Sequence, residues 1–200
     1  MTLPNLMVNS ILYFFIPLWI IVGFGDWLFH RITKISETSG VKESLLHLLM
    51  LSEIGIPLLM GLFLEINALV LGIMLIGFLA HEATVLWDLR YAVDKRTILP
   101  GEQVIHSFQE LLPLMMLVLL VFLHWEQFVA LVSMNGQADF QLRMKENPLP
   151  PSYLAGVIAG AGLLIALPYM EEFWRCYSAS DRRRVVMNKP AERLMPGRDA

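Results

Sequence analysis

Five stretches of the chain, near 8–29, 46–64, 66–87, 105–124 and 152–170, are each long and apolar enough to cross a bilayer as a helix. A span needs about 20 mostly apolar residues, because in hydrocarbon every backbone amide must find its partner within its own segment or a closed barrel. That requirement selects one fold class, an all-α integral membrane protein of five transmembrane helices. The 200 residues are 56% hydrophobic and the mean hydropathy is +0.58, above the usual range of a soluble domain. Residues 1–174 therefore read as one five-span membrane domain, with four of its helices expected to bundle around a polar site, and 175–200 as a basic tail.

No Lys or Arg precedes the first apolar run and no small-x-small site follows it, so it reads as a retained span and not a cleavable signal. The one cysteine, Cys176, excludes an internal disulfide and a CxxC metal site. With five spans, one face receives the 31–44 loop, the 88–104 loop and the tail. Thirteen of the fifteen Lys and Arg fall on that face, and only Arg143 and Lys145 on the other. The positive-inside rule then predicts an outside N-terminus and a cytoplasmic C-terminus, in a plasma membrane of the bacterial inner-membrane type. The tail is expected to lie against anionic headgroups, and "FVALV" in the 125–151 loop to sit at the opposite interface.

The unusual residues gather at the predicted cytoplasmic ends of four spans. Asp26 and His30 lie four apart on the first, hence on one face. "ESLLH" places Glu43 and His47 in the same way on the second. "HEATVLWD" ends the third with His81, Glu82 and Asp88. Glu102, His106 and Glu110 form a slowly drifting stripe at the start of the fourth, and Glu53 lies deeper in the second. Any one of these could be a capping or snorkelling group, and Glu43 and Glu102 suit helix N-termini. Together they are harder to dismiss, since each ionisable group within a span costs roughly 2.5 kcal/mol or more. No span interior offers a Lys or Arg to balance the acids, so the sequence predicts a bound cation.

Imidazole and carboxylate without thiolate suit Fe, Mn or Zn. The number of donors exceeds one tetrahedral ion, which favours two divalent metals, with iron first and Zn, Mn or Mg as alternatives. The inventory is similar to that of the carboxylate-bridged di-iron proteins, whose bundles use two carboxylates and two ExxH pairs. It departs from them in having ExxxH twice and DxxxH once, and it lacks the HxxxH and HxxHH clusters of membrane desaturases and hydroxylases. The expected ligands are Asp26, His30, Glu43, His47, His81, Asp88, Glu102, His106 and Glu110, with Glu53 and Glu82 as catalytic or proton-relay acids. The expected chemistry is hydroxylation or desaturation of a lipid or other apolar substrate, with electrons from a separate reductase, and "GVIAGAG" suits close packing either within the bundle or across a homodimer interface. No nucleic-acid partner is expected. The alternatives are a metal-dependent hydrolase or phosphotransferase, gripping a lipid headgroup with Arg31, Arg90 and Arg96, and a non-enzymatic metal or haem carrier. Glu171 and Glu172 read as interfacial, His124 as an anchor at the far face, and Ser39 or Ser44 as helix caps.

Overall fold

A computed structural model describes residues 1–133 and 136–187, with side chains to residue 182. Five helices are long and apolar enough to span: α1 (Leu3–Ile32), α2 (Val41–Phe63), α3 (Ala68–Val93), α4 (Pro100–Leu123) and α6 (Pro151–Arg182). A short helix, α5 (Trp125–Ser133), follows α4. Among the described residues there is no strand, only an isolated bridge between Leu64 and Met144. The helices exceed the apolar runs because each continues past the hydrocarbon into polar sequence. The last runs on to Met187, through the beginning of the expected tail, and 188–200 lie outside the described residues.

Both α1 and α6 contain a wide π turn, at Ile11–Phe15 and Gly162–Ala166. Each ends two residues before a proline, Pro17 and Pro168. A proline in a helix lacks its N–H and collides with the carbonyl four residues back. Here those carbonyls belong to Tyr13 and Leu164, inside the wide turns, where one extra residue relieves the collision. That insertion rotates everything after it on α6.

The core runs between α1, α2, α4 and α6, with Ile16, Trp19, Ile20, Ile54, Leu112, Met116 and Ile165 buried. Gly77 on α3 lets that helix close on α2, since a Cβ there would stand 2.8 Å from the Glu53 carbonyl and 2.8 Å from the Pro57 ring. Pro57 and Pro113 are both buried inside their helices. Large apolar side chains such as Ile21, Ile56, Ile76, Leu79 and Phe122 face outward, as a lipid-facing surface requires. The N-cap of α2 is Gly40, with a φ of 70° and no side-chain cap. The hydroxyls of Ser39 and Ser44 are buried without hydrogen-bond partners, so neither is the cap expected from "TSGVKES".

Candidate metal centre

The ends of the five spanning helices on the Arg96 side of the bundle converge on one buried cluster. Asp26 and His30 come from α1, Glu43 and His47 from α2, Asp88 from α3, and Glu102 and His106 from α4. The bundle around the site was expected to have four helices, but a fifth completes it. α6 contributes Glu172, which is fully buried, and Tyr169.

Glu172 sits between two imidazoles. Its Oε2 lies 3.0 Å from His30 Nδ1 and its Oε1 2.8 Å from His47 Nδ1. A carboxylate only accepts hydrogen bonds, so both histidines carry their proton on Nδ1. The two rings stack nearly parallel, with centroids 4.3 Å apart, and both Nε2 atoms point away from Glu172 toward other acids. His30 Nε2 is 3.4 Å from Asp26 Oδ1 and 3.5 Å from Glu102 Oε1, and His47 Nε2 is 3.6 Å from Asp88 Oδ2.

None of those three approaches is a hydrogen bond, and His30 Nε2, Asp26 Oδ1 and Asp88 Oδ1 are all buried without a hydrogen-bond partner. His106 Nε2 comes to 2.8 Å from Asp26 Oδ1 without hydrogen-bond geometry at that oxygen. Donor atoms about 2.1 Å from one metal ion stand roughly 3.0–3.5 Å from each other, and the separations here, 2.8–3.6 Å, lie near that range. Ligand-type atoms of Asp26, His30 and His106 lie within 4.8 Å of one another, and so do those of His30, Glu43 and His47. Asp26 is held from behind: Tyr169 donates to its Oδ2 at 2.9 Å and accepts from Gln109 at 3.1 Å.

One inference from the sequence needs correction. The acids are not without a cation, because Arg96 folds back from the α3–α4 loop into the cluster. Its guanidinium donates to Glu43 Oε1 at 2.6 Å and also to Glu102. Only 3% of the side chain is exposed. Burial opposes its charge, but the hydrogen bonds to Glu102 and Glu43 outweigh that and raise its pKa further above the ordinary value. A loop arginine six residues before an acid on the next helix was the readable signal.

Arg31 pairs with Glu171 at 2.9 Å, and Arg175 and Trp27 complete that surface group. Glu171 is at the protein surface, whereas its neighbour Glu172, expected to be interfacial, is fully buried. The remaining candidates stand apart from the two ligand groups. Glu53 accepts from Thr84 at 2.9 Å. Glu82 keeps one buried oxygen without a partner.

His81 and Glu110 instead line a cavity of about 240 Å³ beside the cluster, together with Trp19, Met50, Leu51, His106 and Tyr169. Neither nitrogen of His81 has a hydrogen-bond partner. No Lys or Arg lines this cavity, and its walls are largely apolar. The chain matches no protein-family model, no curated protein and no solved structure.

Proposed function

We propose that this cluster is a two-metal centre, with iron as the resident ion, and that the protein oxidises a lipid or other apolar substrate reaching it from the bilayer. One observation carries the reading. Glu172 accepts from Nδ1 of both His30 and His47, and each ring turns its Nε2 toward a carboxylate 3.4–3.6 Å away. A carboxylate behind a ligating imidazole is the usual way a protein orients that ligand and raises its basicity. Asp26, His30 and His106, with Glu102, would hold one ion. His47, Asp88 and Glu43 would hold the other.

Bound iron would supply dioxygen activation. In hydroxylation one oxygen atom enters a C–H bond and the other leaves as water, which requires two electrons and two protons. The electrons would come from a separate reductase. The chain's own part is binding, orientation and proton handling. Tyr169 and Gln109 hold Asp26 in place, the apolar cavity wall excludes water, and His81 and Glu110 offer titratable groups within reach of a bound substrate.

The hydrolytic alternative loses support. Of the three arginines that would grip a headgroup phosphate, Arg31 is engaged by Glu171 and Arg96 by Glu43 and Glu102. The cavity presents acids and imidazoles in place of fixed cations. A haem between the histidines is disfavoured as well, because parallel rings 4.3 Å apart, both anchored to one carboxylate, cannot ligate opposite faces of a macrocycle.

Elemental analysis of the protein after mild detergent extraction tests the proposal. About two transition-metal ions per chain, with iron absorption in the near ultraviolet and their loss in a His30→Ala, His47→Ala double variant, is the expected result. A folded protein that neither retains nor takes up a stoichiometric ion would refute it.

A further inference from the structure

A second cavity, of about 190 Å³, occupies the other half of the bundle interior, and it aligns with the first. On four helices its lining continues that of the metal-side cavity after three residues: Ile16 follows from Trp19, Ile54 from Leu51, Phe78 from His81, and Pro113 from Glu110. Three residues are about 4.5 Å of helix, or less than one turn. The two hollows therefore stand end to end inside the same bundle. Along α4, from Leu123 at the far end to His106 at the cluster, the distance is roughly 25 Å.

The far cavity is apolar apart from its end, where His124 and Lys145 line it. Lys145 is not on a loose loop. Its N–H donates to the Phe63 carbonyl at 3.0 Å, and Glu65 N–H donates to the Arg143 carbonyl at 2.9 Å, clamping this segment across the end of α2. The nearby Glu65 carboxylate accepts the Glu146 N–H at 2.8 Å, and among the described residues no acid stands within ion-pair distance of the Lys145 amine. Taken together as one slot, the two cavities offer mostly apolar lining, with the Lys145 amine at one end and the acid–imidazole cluster at the other.

We propose that this slot binds one unbranched acyl chain, with its anionic head at Lys145 and His124 and its far end directed at the candidate metal centre. The chain-end placement rests on the function proposed above, whereas the slot and its head site do not. The chemistry recognised, a long chain under a single anionic head, belongs both to a free fatty acid and to an anionic phospholipid.

The test uses the full chain in detergent with stearic acids carrying a nitroxide at carbon 5 or carbon 16, read by electron paramagnetic resonance. An immobilised component near one probe per chain is expected. The probe's methyl ester, which changes only the ligand, should bind at least about tenfold more weakly. Lys145→Glu should weaken the acid by a similar factor and Lys145→Gln by less. Displacement by oleate assigns the free acid and displacement only by phosphatidylglycerol a phospholipid chain; displacement by neither overturns the proposal. So does equal binding of acid and ester.

Adding Mn²⁺ separates the two claims. Stronger broadening of the carbon-16 probe than of the carbon-5 probe supports the chain direction, and the reverse order overturns it. Retention of the probe without any Mn²⁺ uptake would remove the metal reading and leave the slot standing.

Discussion

Replacing Glu172 by Gln changes one oxygen for one NH₂ at nearly constant volume, and the consequence follows from the two bonds it makes. The Gln carbonyl can still accept from one Nδ1–H, at His30 or at His47. Its NH₂ must then face the other Nδ1–H, donor against donor. The relief available is a tautomer change in that ring, which turns Nδ1 into an acceptor and moves the proton to Nε2. A protonated Nε2 cannot ligate. One ion should therefore weaken far more than the other, and loss of a carboxylate behind a ligating imidazole typically costs 10–100-fold in metal affinity, about 1.4–2.7 kcal/mol. The assay is chelator competition on the detergent-solubilised protein, with metal per chain measured by elemental analysis and folding followed by circular dichroism. The expected readout is a fall from about two tightly held ions to one. Glu171→Gln is the matched control, because that side chain meets Arg31, Arg175 and Trp27 at the surface, and it should leave both ions in place. If Glu172→Gln keeps both ions at wild-type affinity, the orienting role assigned to Glu172 is wrong.

Arg96→Ala leaves Glu43 and Glu102 buried without their guanidinium, and breaking such a pair costs about 3–5 kcal/mol. Thermal unfolding of the metal-stripped variant should show that loss, and Arg96→Lys should recover only part of it, because a point charge cannot reproduce the fork to two acids. Gly77→Ala puts a methyl group 2.8 Å from the Glu53 carbonyl and the Pro57 ring. Separating α2 from α3 to admit it should destabilise the protein by about 1–3 kcal/mol in the same measurement, while Gly156→Ala, where an added Cβ meets nothing within 4 Å, should not.

The spans were legible because hydropathy reports the solvent, and lipid is a solvent. The convergence of acids and imidazoles was half legible for a related reason. Spacing of four places Asp26 with His30 and Glu43 with His47 whatever the helix packs against. What spacing could not show was the face that α6 presents. Counted from buried Val157 at about 100° per residue, an uninterrupted helix brings Glu171 within about 40° of the inward line and Glu172 within about 60°. The π turn at Gly162–Ala166 adds one residue, moving Glu172 to about 40° and swinging Glu171 to about 140°. Pro168 was the visible sign of that turn. Arg96 was missed for a different reason: a loop residue belongs to no periodicity, and its long side chain reached back across a boundary that a span-by-span reading treats as closed.

Arg96 also alters the charge argument without removing it. Asp26, Glu43, Asp88, Glu102 and Glu172 are five buried carboxylates, and one guanidinium leaves four negative charges to be met. Protonating His30, His47 and His106 would still leave one. It would also place two imidazolium rings face to face at 4.3 Å, a repulsion of about 4 kcal/mol at an effective dielectric near 20. Two divalent ions meet all four charges and need both rings neutral, with the proton on Nδ1 and the lone pair on Nε2. The Glu172 bridge, which needs a proton on each Nδ1, is compatible with that state. Charge balance and hydrogen-bond geometry are independent constraints on the same side chains, and two divalent ions would satisfy both.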